Sequence, residues 1–133
     1  MLSSLGQPGG EGLRLNVKTL TSGLKYHDEV DGKRQHYYIF SGGAYYFVMS
    51  LSATKPGAGN FNLVSKTSVA RLLKRLRGQR SLTAKGVRRR SRSRRMVLSD
   101  LTALNMLYVL VATGQATIDR RHKSRQIFFN VRP

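Results

Sequence analysis

The segment Tyr26-His27-Asp28-Glu29-Val30-Asp31 gathers one of the three histidines and three of the six carboxylates of this 133-residue chain. Carboxylates converging on one or two divalent ions would suit a metal-activated water attacking a phosphodiester. Here they lead into Asp31-Gly32, where Asp is expected for turn conformation alone. No second acidic group with a lysine at working spacing follows, and His36 and His122 lie elsewhere. The absence of Cys excludes disulfides, thiolate zinc sites and Cys nucleophiles. Ser41-Gly42-Gly43 and Gly57-Ala58-Gly59 lack the lysine and the helix of a phosphate-binding loop. The expectation is a chain without catalytic residues, metal or cofactor.

The other chemistry is cationic. Arg71, Lys74, Arg75, Arg77, Arg80, Lys85, Arg88, Arg89, Arg90, Arg92, Arg94 and Arg95 are interrupted by no Asp or Glu, and the acid-free stretch runs from Gly32 to Ser99. Net charge is +18. Self-repulsion on this scale opposes compaction, so its usual reason is an external polyanion, most often the phosphates of nucleic acid. The tract Arg88-Arg89-Arg90-Ser91-Arg92-Ser93-Arg94-Arg95 also suits a targeting signal, and phosphorylation of its serines would cut local charge by roughly 1.5 to 2 units each.

Elements must position these groups. A hydrophobic content of 40% suffices for a core. Residues 1–11 read as a loose leader without a signal peptide's apolar region. Residues 12–64 read as an antiparallel β-meander of four or five strands. Leu13, Leu15 and Val17 alternate with Arg14, Asn16 and Lys18, which is the period of a half-buried strand. Leu24 to Val30 and Gln35 to Phe40 form a hairpin about a type I′ turn at Asp31-Gly32, and Ala44 to Leu51 and Phe61 to Val64 complete the meander. Tyr37, Tyr38, Phe40, Tyr45, Tyr46, Phe47 and Phe61 fall in this sheet. Core and cross-strand pairing is favoured for them over a base-stacking platform. Adjacent rings such as Tyr45-Tyr46 nevertheless point to opposite faces.

Beyond Val64 the period becomes helical. Thr67 or Ser68 caps a helix whose Val69, Leu72, Leu73 and Leu76 share one face, with Gly78 as its stop. Ser81 caps a short helix from Leu82 to Arg90, and Ser99 caps a third from Asp100 to Thr113, closed by Gly114. Gln115 to Arg120 and Arg125 to Val131 form a last hairpin. This order resembles winged helix-turn-helix domains. Leu107-Tyr108-Val109-Leu110-Val111-Ala112-Thr113-Gly114-Gln115-Ala116-Thr117-Ile118 carries the likeness as a third helix entering a wing, and Ser81-Leu82-Thr83-Ala84-Lys85 is similar to the start of a second helix. The resemblance covers residues 65–133 and implies a wing tip at Arg120 to Arg125. In that family the third helix reads base edges. Here it is apolar nearly all round, leaving Ser99, Thr102, Asn105 and Gln115 as base-reaching groups, and the N-terminal sheet is expected to cover much of it.

The sequence therefore predicts an α+β chain, a β-meander packed on a winged-helix-like half. Its partner is nucleic acid, DNA before RNA, held by the twelve cations above together with Arg121, Lys123 and Arg125. The alternatives are a structural RNA-binding component of a ribonucleoprotein, such as a ribosomal protein, and a metal-dependent nuclease or its subunit. An intracellular setting is expected, and no membrane span. The apolar third helix is a candidate surface for a homo-oligomer or a protein partner.

Overall fold

The computed structural model describes residues 23–32, 35–51, 59–91, 99–121 and 126–133. The elements are β1 (Lys25–Asp31), β2 (His36–Gly42), β3 (Tyr45–Leu51), β4 (Gly59–Ser65), α1 (Lys66–Leu76), α2 (Ala84–Arg90), α3 (Asp100–Ala112), β5 (Ala116–Asp119) and β6 (Phe128–Val131). The fold is α+β: an antiparallel sheet in the order β1-β2-β3-β4, three helices, and the hairpin β5-β6. The expected leader and the strand at Leu13 to Val17 lie outside the described residues.

Alternation in the strands divides the sheet into two apolar faces. Ile39 pairs with Val48, and both are buried with Val30 and Val64 in the core. One residue along, Phe40 pairs with Phe47 on the opposite face. Gly43-Ala44 makes a two-residue connection between β2 and β3, with Gly43 at φ 55°. A left-handed first position is what such a tight hairpin requires. The β1–β2 connection differs from expectation. Asp31 pairs with His36 as the last residue of the ladder, and the Gly32 N–H donates to the Gln35 carbonyl at 3.0 Å just beyond it. Cross-strand contacts of the His36 imidazole with Glu29 and Asp31 lock that register, so Asp31 is not a central turn residue.

The helices begin at side-chain caps. Ser65, rather than Thr67 or Ser68, caps α1 by accepting from the Ser68 N–H at 3.3 Å. Gly78 ends that helix at φ 78°. Thr83, not Ser81, caps α2 and accepts from the Gly86 N–H at 3.0 Å. The reason is that Leu82 is extended: it exchanges N–H···O bonds of 2.8 and 2.7 Å with Phe129. Gly78 and Gln79 also bond Arg132 and Val131, so this connecting segment runs along β6. Ser99 caps α3 as the sequence predicts.

Helix α3 is the axis of the core. It packs against α1, α2, β5 and all four strands of the sheet. Ala103, Met106, Leu107, Tyr108, Val109 and Leu110 are at most 1% exposed, while Leu104 is half-buried and Leu101 exposed at its N-terminal end. Full burial of each large apolar side chain contributes roughly 1.5–3 kcal/mol as an upper bound. The apolar surface that α3 still offers to an oligomer or partner is confined to its first turns, where Leu101 is 54% exposed. Among the described residues, no helix is long and apolar enough to cross a membrane.

Candidate nucleic-acid interface

Burying Val69, Leu72 and Leu76 turns the opposite side of α1 to solvent, and burying Val87 does the same for α2. Arg71, Lys74, Arg75, Arg77, Arg80, Lys85, Arg88, Arg89 and Arg90 are all exposed as a result. Cations in the last turn of a helix complement its dipole by about 0.3–1 kcal/mol. Two helix ends do not require nine of them. Of the nine, only Arg88 forms an ion pair with a described carboxylate, with Nε 3.7 Å from Asp100 Oδ1.

A small cleft of about 140 Å³ opens between the ends of α1 and α2. Leu72, Leu76 and Val87 floor it, and Arg75, Gln79, Arg90 and Ser91 complete its lining. Gln79 acts as a strut: its Nε2 donates to the Arg75 carbonyl at 3.0 Å, and its Oε1 accepts from Arg90 Nη1 at 3.2 Å. Two guanidiniums at one cleft, with Arg90 held by a neutral amide, suit a tetrahedral oxyanion. Sequence reading missed Gln79. Its signal was faint, one amide four residues beyond Arg75 and just past Gly78.

The hairpin is less available than the sequence suggests. Arg121 Nε and Nη2 donate to Asp119 at 2.9 and 2.8 Å, and the Asp119 side chain is 4% exposed. That carboxylate holds the Arg121 guanidinium further into its charged range. Arg120 Nη2 reaches the Asp31 carbonyl at 3.3 Å and ties the hairpin to β1. Arg92, Arg94, Arg95, Lys123 and Arg125 lie outside the described residues.

None of the base-reaching groups of α3 projects from a free helix face. Asn105 is 3% exposed, and its Oδ1 has no hydrogen-bond partner within the described structure. Ser99 and Thr102 are engaged in the cap. Gln115 is half-buried beyond the helix end, where its N–H and carbonyl bond Leu110 and Arg132.

The acidic hairpin organises a histidine. His36 Nε2 lies 2.5 Å from Glu29 Oε1, and Nδ1 contacts Asp31. His27 sits apart with Nε2 2.8 Å from Ser41 Oγ, and the Asp28 side chain accepts the Glu29 N–H. Among the described residues, no group of three His, Asp or Glu could hold a metal ion.

The two histidines titrate in opposite directions. Hydrogen bonding from Glu29, with Asp31 adding to it against some desolvation, raises the His36 pKa above its ordinary value. Burial, aided by Lys25 and Lys66, lowers that of His27. A raised pKa gives stability that is complete below about pH 6.5 and lost as pH climbs through the folded value. A lowered histidine pKa gives the reverse, a loss as pH falls from about 6.5 through the folded value. In thermal melts from pH 5 to 8, His36→Gln should remove the alkaline decline and His27→Gln the acidic one. Melts that keep both limbs in both variants would contradict the assignment.

Compared with protein-family models, with curated proteins and with solved structures, the chain matches none.

Proposed function

We propose that this chain binds nucleic acid by gripping the phosphate backbone, without catalysis and with duplex DNA as the first ligand. The observation that carries the reading is the array of nine exposed cations on α1, α2 and the segment between them, eight of which form no ion pair with a described carboxylate. Such a surface attracts a polyanion and gains by releasing its counterions. In this reading Arg75 and Arg90 take one phosphate at the Gln79 cleft. Arg92, Arg94, Arg95, Lys123 and Arg125 add further positive charge to the chain in sequence.

Burial of α3 favours a second reading, structured RNA within a ribonucleoprotein. With its recognition helix inside the core, the chain is left with shape and backbone, which is how RNA helices are chiefly recognised. Titrating duplex DNA and hairpin RNA of equal length at a series of matched salt concentrations decides between them. For about five to nine contacts the log–log slope should be roughly −4 to −8 on duplex DNA. A slope shallower than about −2 would sink the phosphate-grip reading. Tighter binding of the RNA at every salt concentration would move the assignment to the second reading.

A further inference from the structure

The sheet has a second apolar face that the core does not use. Tyr26, Phe40, Phe47 and Leu63 form one cross-strand row through β1 to β4, and Tyr38, Met49 and Phe61 form the next. Phe47 meets Phe61 at 5.5 Å between centroids, and Tyr26 meets Phe40 at 5.4 Å. Met49 is buried at 8% exposure, Tyr38, Phe40, Phe47 and Phe61 are half-buried, and none of the seven joins the cluster that α3 completes on the inner face. Tyr26, Tyr45, Leu51 and Leu63, four of the five large hydrophobics at least 36% exposed among the described residues, share this face. Exposed apolar side chains gathered on one face with half-buried rings between them mark a candidate interaction site.

Charge decides what the face can take. Its ladder positions include no Lys or Arg, whereas Glu29 and Asp31 lie at one corner, with His36 between them. Stacking of unpaired bases needs cations to follow the backbone, and this face offers carboxylates instead. Its cation-free composition makes it the part of a +18 chain where two copies can meet with least repulsion. A two-fold axis running across the strands would lay β1 of one copy over β1 of the other in opposite directions, which keeps the Glu29 and Asp31 corners of the two copies apart.

We infer that this outer face is where two copies of the chain associate, sheet against sheet. Four strands about 4.8 Å apart and seven residues of about 3.3 Å rise give roughly 19 by 23 Å. That footprint, roughly 440 Å² in projection from those spacings, falls below the 800 Å² or so per partner of a standard interface, and marks a weak, concentration-dependent dimer. Resting on the proposed function, the consequence is a bivalent binder. The basic helices of each copy point outward, and the pair grips two backbone segments with a gain from effective concentration.

Sedimentation equilibrium of the full chain without nucleic acid tests the association independently of that function. The parent should dimerise with rising concentration, and more strongly at high salt, where repulsion between the +18 copies is screened. That salt dependence is opposite to the one expected for phosphate binding. Leu63→Glu should weaken the dimer by roughly a hundredfold, because an isologous contact buries the change twice. Tyr26→Ser, at a half-exposed site, should weaken it less, and both variants should melt like the parent. A parent that stays monomeric through the high-micromolar range would overturn the proposal, as would a dimer indifferent to both changes. Loss of affinity for a single-stranded oligonucleotide in both variants, with no parent dimer, would reassign the face to base stacking.

Discussion

Phe129→Ala is expected to be the most damaging single substitution, costing about 3–5 kcal/mol of stability. The side chain is 0% exposed, and its ring packs edge-on against Tyr108 of α3 at 5.9 Å. Its backbone pairs with Ile118 on one side and exchanges two hydrogen bonds with Leu82 on the other. Truncation would open a cavity where the hairpin, the α1–α2 connection and the central helix meet, and neighbours fixed on three sides can collapse into it only partly. Against a total of about 5–15 kcal/mol the loss is large, and the melting temperature should fall by roughly 10–20 °C. Urea denaturation measures it, with Leu63→Ala, at a 59% exposed site, as a comparison expected within about 0.5 kcal/mol of the parent. A cost below about 1 kcal/mol for Phe129→Ala would mean that the hairpin is not docked as described.

The second large effect is on binding. Arg75→Ala combined with Arg90→Ala should lower affinity for a duplex by roughly a hundredfold at low salt, at about 1.5 kcal/mol per charge-assisted contact. The slope of log affinity against log salt should become shallower by about 2. The loss should be similar for every duplex sequence, because phosphate contacts position a protein without specifying a base. Gln79→Leu should give a smaller loss with the slope nearly unchanged, since both cations remain and only the strut to Arg90 is gone. Fluorescence anisotropy with several unrelated duplexes reads all three quantities. Unchanged affinity in the double variant would remove the cleft from the interface, and a shift in sequence preference would mean that these arginines read bases.

Periodicity was a sound guide wherever one physical demand acted on a segment. The apolar stripe of Val69, Leu72 and Leu76 and the caps at Ser99 and Gly114 appear in the structure because burial and termination asked for the same residues. It misled where two demands competed. Ser81-Leu82 reads as a helix start, yet Leu82 pairs with a strand 47 positions away, a tertiary contact that no local pattern contains. Asp31-Gly32 favours a tight turn locally, and the three-way contact of Glu29, Asp31 and His36 sets a different register. The basic face was legible because charge is additive along the chain. Gln79 was not, because its role depends on two helix ends meeting at one cleft. The aromatic residues of the sheet were divided correctly between two faces by parity, but parity alone could not say that α3 covers just one of them.

The placement of α3 also has a consequence for the timing of synthesis. Strand β4 closes the sheet at Ser65, while the helix that covers its inner face is finished only at Ala112. At about 5–20 residues per second, the ribosome takes roughly 2–10 s to make that intervening stretch. During those seconds Ile39 and Val48 lack their native cover on one face of the sheet, while Phe40 and Phe47 lie on the other. A half-made chain of this kind is prone to join its neighbours on a polysome. What the ribosome adds next is the acid-free run of arginines and lysines in α1 and α2. Nascent chains that carry such like charge repel one another, so the surface proposed to hold a polyanion in the finished protein also keeps unfinished copies apart.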